Sequence, residues 1–416
     1  MQTIKSNEDP YQALRFPEFS SYVAAKFLLT LSLSLPVVLL GWWLYDLTKD
    51  PATLGNFFLA ELIPALGLAL FSGRIVDKSL KKRLLVICYI GYMCYAAILM
   101  WVTSPEVLSK FSVNAVLLLI YGASFLNGII RSFSEPAAFS FMAQLLPREA
   151  YVNASTWSST SWIIGAVLGP TIAGFLYAWI GITYSFAIML ALIIGALLCL
   201  LTIKEKPVNF DDTSVSFWES LVAGLKYVFK AKEILAALSL DMFAVLFGGA
   251  VALLPVYAND ILHVGPEGLG VLRAATFLGT LSTLLFLAYF PLRTKPGIKL
   301  LLAIFGFGIS IILFGISRNF YLSFACLFFS GIFDGVSVNI RRAILQLKTP
   351  DEMRGRVAAV NSMFIGSSNE LGAYESGITA KYMGTVPAVV FGGTMTIVVV
   401  LVTWWQAKAL KEIELD

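Results

Sequence analysis

The 416-residue sequence contains few of the residues from which enzymes build catalytic or metal sites. It has one histidine, His263, and only 13% of its residues are charged. A single histidine excludes a site that needs several histidine ligands or bases. The sequence also lacks a Gly-x-x-x-x-Gly-Lys-Ser/Thr phosphate loop, a nucleophile elbow and a cluster of zinc ligands. We therefore expect no enzymatic activity, no resident cofactor or metal, and no use of ATP.

The cysteines and the net charge do not indicate a metal-binding, a disulfide-bonded or a nucleic-acid-binding protein. The four cysteines lie inside apolar segments without metal or disulfide spacing, at Cys88, Cys94, Cys199 and Cys326. This placement is typical of small buried hydrophobic residues. The net charge of +4 comes from basic residues in short loops, so we expect no nucleic-acid partner.

Long apolar runs dominate the sequence, and 58% of its residues are hydrophobic. Runs of about 20 apolar residues recur along the chain, and each is long enough to cross a bilayer as a helix. The predicted fold class is therefore an all-α membrane protein with twelve transmembrane helices. The predicted spans are 22–45, 54–72, 84–103, 113–145, 153–180, 182–202, 233–258, 267–290, 298–316, 319–347, 355–380 and 386–406.

The charges of the loops predict the orientation of the chain. The loop 72–83 carries five lysines and arginines, and the other loops on its side carry most of the remaining basic residues. Loops with excess positive charge stay on the cytoplasmic side of a membrane. Because the number of predicted spans is even, both termini are expected on that side. The sequence thus predicts a multi-pass membrane protein with cytoplasmic termini.

A polar segment at 204–232 divides the chain, and apolar residues recur in it at helical spacing. This pattern predicts an amphipathic linker helix that lies on the inner leaflet. The linker separates an N-terminal six-helix bundle with a cytoplasmic tail, 1–203, from a C-terminal six-helix bundle, 233–416. The two halves repeat each other, as in the pair 126–128 (Leu-Asn-Gly) and 333–335 (Phe-Asp-Gly). Such a repeat is typical of two-bundle transporters, whose site lies near the membrane midplane.

Ionisable residues occur in only some of the spans. The interiors of spans three, six, nine and twelve contain no Asp, Glu, Lys or Arg. A charge in the hydrocarbon is costly, so the charged spans must face a cavity or a partner, and every third span is expected to face lipid. The charged spans hold Glu61, Arg131, Glu135, Asp241, Arg273, Asp334, Arg341, Glu370 and Glu375.

Several of these carboxylates are candidates for proton coupling. A proton-coupled transporter needs a carboxyl group whose proton affinity changes between burial and exposure. Glu370 and Asp334 lie near the middle of their predicted spans and are the first candidates. Glu135 and Asp241 are further candidates. The alternative is that each of these groups belongs to a structural ion pair.

The same spans offer polar and aromatic groups for substrate contacts. Asn127, Arg131 and Glu135 recur every four residues on one face of span four. Arg131 could hold a substrate anion or keep Glu135 ionised. The remaining candidates are Glu61, Trp157 and Trp162. Aromatic rings suit a bulky, partly apolar substrate, although they could equally be packing residues.

The loop 72–83 resembles the signature loop between helices two and three of the major facilitator superfamily. Gly73, Asp77 and Lys78 stand at its characteristic positions, and Leu80 stands where the family usually has a second glycine. We take these three residues as candidates for a conformational gate.

Two further stretches resemble motifs of the same family. Residues 165–174 resemble the glycine-rich motif of its drug–proton antiporters, in which small residues let helices approach closely. The residues that match are Gly165, Gly169, Pro170 and Gly174. Residues 349–357, which include Arg354 and Arg356, resemble a cytoplasmic loop of the enterobactin-exporter-like and multidrug-exporter-like permeases.

The resemblance implies two pseudo-symmetric six-helix bundles that work by alternating access. It also implies a secondary transporter, driven by the proton gradient, that exports a small amphiphilic compound such as a drug or a siderophore. Its expected location is a bacterial cytoplasmic (inner) membrane, its expected partners are protons, substrate and lipid, and its expected state is a monomer. The alternatives are transport of a lipid or lysolipid, uptake rather than export, or a membrane sensor or scaffold that does not transport.

The predicted gate residues lead to a first test. Asp77 is expected near Arg354 and Arg356, where the three would clamp the cytoplasmic side shut in the outward-open state. A solvated contact of this kind contributes about 1 kcal/mol, so Asp77→Asn should shift the population of conformations without abolishing folding. Double electron–electron resonance distances across the cytoplasmic side measure the shift. Unchanged distances in the variant would exclude the clamp.

Overall fold

The computed structural model describes residues 10–207, 217–290, 295–411 and 413, and it is almost entirely helical there. Twelve long helices follow the twelve predicted spans closely. They are α1 (Pro17–Thr48), α2 (Pro51–Lys78), α3 (Lys81–Val102), α4 (Val113–Met142), α5 and α6 (151–180 and 182–201 of the run Tyr151–Leu201), α7 (Lys232–Ile261), α8 (Gly265–Tyr289), α9 (Pro296–Ile316), α10 (Phe320–Lys348), α11 (Asp351–Met383) and α12 (Thr385–Gln406). A short helix, Pro105–Lys110, joins α3 to α4, and the linker helix is Phe217–Lys230.

The helices are long enough for a multi-pass membrane protein. Within the described residues, ten helices are both long and apolar enough to cross a membrane when α5 and α6 are counted as one. Gly181, with a φ angle of 77°, separates α5 from α6 in a conformation that glycine adopts readily. The remaining long helix, α11, has 33 residues but carries several charges. The structure therefore confirms the predicted all-α membrane fold.

The helices pack in the same pattern in each half of the chain. In the first half, α1 packs against α5, and both α2 and α3 pack against α4. In the second half, α7 packs against α11, and both α8 and α9 pack against α10. Between the halves, α2 contacts α11 and α5 contacts α8, which is also a symmetric pair. The packing thus follows the repeat that the sequence shows.

The two glycines of the internal repeat lie at equivalent close contacts. A Cβ atom on Gly128 in α4 would lie 2.1 Å from the carbonyl oxygen of Glu61 in α2. A Cβ atom on Gly335 in α10 would lie 2.9 Å from Cβ of Thr283 in α8. Only a residue without a side chain lets the backbones approach this closely.

Helix α7 is irregular near its middle, a feature that the sequence did not predict. Its regular part ends at Phe247, and a 3₁₀ turn, Gly249–Leu253, follows. A wider π turn, Tyr257–Ile261, ends the helix. A Cβ atom on Gly249 would lie 2.6 Å from the carbonyl oxygen of Gly372 in α11, so the break is covered by protein. Irregular backbone is tolerated inside a membrane under this condition.

The predicted linker helix is present, and it contacts the C-terminal bundle. Val228 is fully buried against apolar residues that include Ile234 and Val357. The Tyr227 hydroxyl donates a hydrogen bond of 2.9 Å to the backbone oxygen of Lys348. These two residues therefore pack on protein, whereas Phe229, which belongs to the same predicted apolar face, is 61% exposed. Contact of this face with the inner leaflet stays a prediction. The side chains at 217–221, which complete the predicted apolar face, lie outside the described side chains.

We call the face where α1 begins and α12 ends the terminal face, and the other the opposite face. Glycines bring the two bundles together at the opposite face. A Cβ atom on Gly174 in α5 would lie 2.3 Å from the carbonyl oxygen of Pro266, and one on Gly270 would lie 3.3 Å from Cα of Gly174. Gly377 in α11 contacts Gly55 in α2 in the same way, with 2.9 Å from its Cβ position to the Gly55 nitrogen. We call this set of contacts the opposite-face seal.

Polar bonds join the bundles beside the seal. Lys381 of α11 forms an ion pair of 2.7 Å with Oδ2 of Asp50, and Oδ1 of Asp50 accepts a hydrogen bond of 3.0 Å from the Ala52 amide. Asp50 thus caps α2 and also binds the other bundle. The Tyr45 hydroxyl donates a hydrogen bond to the Asp260 carboxylate. The sequence analysis missed these residues as a gate, although Tyr45 and Asp260 lie in corresponding stretches of the repeat.

The seal should depend on the fact that Gly174, as a glycine, has no side chain. In Gly174→Ala the added methyl would overlap the Pro266 carbonyl, and overpacking of this kind costs about 1–3 kcal/mol. We expect the opposite face to open more often. Spin labels at Lys110 and Arg318, in a protein without its native cysteines, should then report longer distances across that face. Gly122→Ala is the control, since nothing lies within 4 Å of its Cβ position, and equal distributions for both variants would contradict the prediction.

Candidate functional site

Three charged side chains from two bundles meet in the membrane interior. Nη1 of Arg131, on α4, lies 2.7 Å from Oε1 of Glu61 on α2. The same nitrogen lies 2.6 Å from Oε1 of Glu370 on α11, which belongs to the other bundle. The side chains of Glu61 and Glu370 are only 14% and 10% exposed. We call Arg131, Glu61, Glu370 and the neighbouring Glu135 the Arg131 cluster.

The close approach of α2 and α4 explains how the cluster forms. Gly128 precedes Arg131 by three residues, and it lies against the Glu61 backbone and the ring of Pro64. Residues three apart on a helix share a face, so Arg131 also points towards α2. Any side chain at position 128 would push the two helices apart. The Glu61 carboxylate would then move away from the guanidinium.

The exposed edge of the cluster carries one more carboxylate and one more cation. Oε1 of Glu135 lies 3.6 Å from Nε of Arg131, and its side chain is 74% exposed. Lys26 of α1 lies close enough to Glu135 for electrostatic attraction, and its ammonium donates a hydrogen bond of 2.6 Å to the Ser158 hydroxyl. The sequence analysis did not select Lys26. The available signal was a lysine within an otherwise apolar stretch of α1.

The charges of this region do not balance. Glu61, Glu135 and Glu370 supply three carboxylates, while Arg131 and Lys26 supply two cations. One negative charge is therefore in excess when all are ionised. Among the described residues, Oε2 of Glu370 is buried without a hydrogen-bond partner. A proton on that oxygen would balance the charge.

The other two predicted proton-coupling residues lie elsewhere, in the C-terminal bundle. Asp241 of α7 forms an ion pair with Arg341 of α10, and both are almost fully buried. Asp334 lines a small cavity together with Asp241 and Ser337. The cavity volume is about 10 Å³, which is room for about one water molecule. The structure thus divides the four candidates into two separate groups, Glu370 with Glu135 and Asp334 with Asp241.

The predicted gate residues lie at the terminal face. Asp77 and Lys78 end α2, four and five residues after Gly73, and the ammonium of Lys81 donates a hydrogen bond of 2.7 Å to the Asp77 backbone oxygen. Arg354 and Arg356 lie in the first turns of α11. The clamp stays a prediction.

The glycine-rich stretch of α5 packs the helix against its neighbours. Cβ positions on Gly165 and Gly169 lie 3.0 Å and 2.5 Å from side chains of α1. Pro170 presents its carbonyl oxygen 2.6 Å from the Cβ position of Gly270, and Gly174 completes the seal. These contacts agree with the role in helix packing that the sequence suggests.

The three remaining substrate candidates have different surroundings. The Trp157 indole donates a hydrogen bond of 3.0 Å to the Pro10 backbone oxygen, and its ring contacts Tyr11. It therefore holds the segment before α1, which the sequence did not predict. Trp162 is 50% exposed, as a substrate contact or a lipid-facing ring would be. Oδ1 of Asn127 is buried and has no hydrogen-bond partner among the described residues.

The chain matches one protein-family model over most of its length. Residues 23–373 match the family model of the Major Facilitator Superfamily. The enterobactin exporter EntS of Shigella flexneri is 26% identical over 348 residues, which cover 82% of this chain and 80% of that protein. The enterobactin exporter EntS of Escherichia coli O1:K1 is 25% identical, with the same shares covered.

Two solved structures have a similar fold. The nucleoside transporter NupG has a TM-score of 0.73 and 16% identity, over 93% of this chain and 99% of that one. The xylose transporter XylE from E. coli, in an inward-open conformation, has a TM-score of 0.69 and 14% identity, over 95% and 98% of the two chains. At these identities the likeness concerns the fold alone.

The cluster should stabilise the fold only while its charges are paired. Arg131→Gln would leave Glu61 and Glu370 buried without their cation, which costs about 3–5 kcal/mol. We expect a clear loss of thermal stability in purified protein, measured by intrinsic fluorescence. Adding Glu370→Gln should restore part of it, because one buried charge is then removed. Arg318→Gln, at an exposed site, is the control; a Glu370→Gln change that gives no recovery would show that the two residues act independently.

Proposed function

Because this chain belongs to the Major Facilitator Superfamily, whose members are membrane transporters, we propose that it is a proton-coupled exporter of a small amphiphilic compound. The observation that carries the proposal is the Arg131 cluster. It joins the two bundles through the bond between Arg131 and Glu370, and it holds one negative charge in excess. A group that binds a proton and also links the bundles can couple proton binding to their movement.

The coupling follows from the charge on Glu370. When Glu370 is ionised, it holds α11 against Arg131 of α4, as in the structure. When Glu370 takes up a proton, it loses most of its attraction for Arg131, which keeps Glu61. Proton binding therefore weakens the contact between the bundles and favours an arrangement without it. Because the linkage is reciprocal, an arrangement that separates α4 from α11 also favours proton uptake.

The direction and the substrate class rest on the relatives. The similar proteins from Shigella flexneri and Escherichia coli are enterobactin exporters. They favour export over uptake, and a siderophore or a drug-like amphiphile as the substrate. Transport of a lipid or lysolipid is the second candidate within transport. A sensor or scaffold is disfavoured, because such a protein has no need of an unbalanced buried cluster.

We place the protein in a bacterial cytoplasmic membrane, with the terminal face in the cytoplasm. The basic residues of the 72–83 loop lie at this face, and such residues favour the cytoplasmic side. With that orientation the closed opposite face is the periplasmic one, and the structure corresponds to an inward-facing state. We expect no ATP, no nucleic acid and no covalent chemistry in the cycle, and a monomer as the working unit.

Proton flux into proteoliposomes tests the proposal. Purified protein is reconstituted with a pH dye inside, a pH gradient is imposed, and lipophilic cations, siderophores and lysolipids are added one at a time. We expect substrate-dependent proton flux in the wild type and none in Glu370→Gln, because the amide cannot take up the proton. Glu375→Gln, on the same helix but outside the cluster, is the matched control and should keep its flux.

Any other outcome would either assign proton coupling to a different residue or contradict the proposal. Flux that persists in Glu370→Gln but is lost in Asp334→Asn would move the coupling site to the C-terminal bundle. Flux that persists in both variants and is lost in Glu135→Gln would keep the site in the cluster but move it to the exposed carboxylate. An absence of flux with every compound, in protein that is folded, would contradict proton-coupled export.

A further inference from the structure

Arg131, Arg273 and Arg341 are intramembrane arginines that are at least partly buried, and Arg273 differs from the other two. Arg131 contacts carboxylates of the cluster, and Arg341 is paired with Asp241. Arg273, on α8, forms no ion pair with any described carboxylate. Its one described hydrogen bond runs from Nη1 to the backbone oxygen of Val251 in α7, at 3.1 Å. Within the part of the chain that the structure describes, Arg273 thus has no counter-charge.

The need to cap the broken helix α7 does not explain why an arginine stands at position 273. Val251 lies in the 3₁₀ turn of α7, where some carbonyl groups lack their regular helical partners. The Val251 oxygen, however, already accepts a hydrogen bond from the Leu254 amide. Arg273 adds a second bond to a group that is satisfied. A neutral donor could supply this bond without the cost of a charge in the membrane interior.

Most of the hydrogen-bonding capacity of Arg273 is unused. A guanidinium has five N–H donors in a planar fork, and the Val251 oxygen accepts one of them. The side chain is only partly buried, so it faces open space as well as protein. A planar anion with two oxygens, such as a carboxylate, fits this fork with two parallel hydrogen bonds.

Arg273 also lies next to the contact between the bundles. Gly270, which packs on the backbone of α5 in the opposite-face seal, precedes it by three residues. The two residues therefore lie on nearly the same face of α8, about 4.5 Å apart along the helix axis. Arg273 is on the interior side of the seal. Phe277, four residues further on, adds an aromatic ring to this face.

The Arg131 cluster is a poor place for an anion, because it already has an excess negative charge. We propose that Arg273 is the anion-binding residue of the substrate site, and that the substrate is an amphiphile with a carboxylate group. This inference names the substrate class for the transport function proposed above and therefore rests on it. It moves the anion from Arg131, which the sequence suggested, to the other bundle.

Binding of matched probes tests the inference without any transport. The protein is placed in nanodiscs of zwitterionic lipid, and pyrenebutyrate, pyrenebutanol and pyrenebutyl phosphate are titrated in turn. Energy transfer from the protein's tryptophans to pyrene reports binding, and empty nanodiscs correct for partitioning into lipid. We expect the carboxylate to bind about tenfold more tightly than the alcohol, as a charge-assisted pair of hydrogen bonds would give.

Variants connect the preference to Arg273. Arg273→Gln should bind carboxylate and alcohol equally, whereas Arg273→Lys should keep part of the preference because it keeps the charge. Arg318→Gln, at an exposed site, should behave as the wild type. The comparison of probes on the wild type and the Lys variant decides the question even where Arg273→Gln does not fold.

Three results would overturn the inference. The first is equal binding of carboxylate and alcohol to the wild type. The second is a carboxylate preference that survives in folded Arg273→Gln. The third is tight binding of the phosphate alone, which would assign a different class of anion. Because no gradient is imposed, a failure of proton coupling at Glu370 would leave these measurements unaffected, and the two proposals can fail separately.

Discussion

The Arg131 guanidinium pairs with carboxylates from both bundles in the interior of the membrane. Glu61 reaches it because Gly128 lets α2 and α4 approach, and Glu370 reaches it from α11 across the interface. The bonds between these groups are strong because the surroundings exclude most water. The same surroundings make any change in their protonation costly unless the helices move. The bundle interface is therefore held by charge at the depth of Arg131 and by close backbone contacts at the opposite-face seal.

The polarity of α11 follows from the contacts that this helix makes with other parts of the protein. A helix that supplies Glu370 to the cluster and lies against α2, α7 and the linker helix has little surface left for lipid. It therefore does not need a fully apolar sequence, and length and hydropathy alone do not identify it as a span. Helices such as α3 and α12 have the opposite character, since their apolar side chains suit contact with lipid.

The sequence predicted the helices well because each depends on its own residues. Apolar runs, Gly181 between α5 and α6, and the paired glycines Gly128 and Gly335 are all visible without a partner. The contact of Arg131 with Glu370 was not predictable, because it depends on how the bundles pack. Within one helix the spacing predicted only the pair of Arg131 and Glu135, which is the longest and most exposed contact in the cluster. The break in α7 was missed as well, since Gly248 and Gly249 fit equally well in a continuous packed helix.

Charge also decides which movements a membrane potential would drive. The Arg131 cluster with Lys26 has a net charge of −1, and Arg273 has +1, so these six groups together carry no net charge. A proton at Glu370 would make the interface positive, and an anionic substrate at Arg273 would make it negative. A bacterial membrane is negative inside, and moving one charge across it is worth about 2.3 kcal/mol per 100 mV. The potential would thus drive the protonated protein inward and the substrate-loaded protein outward, which are the two half-cycles of export.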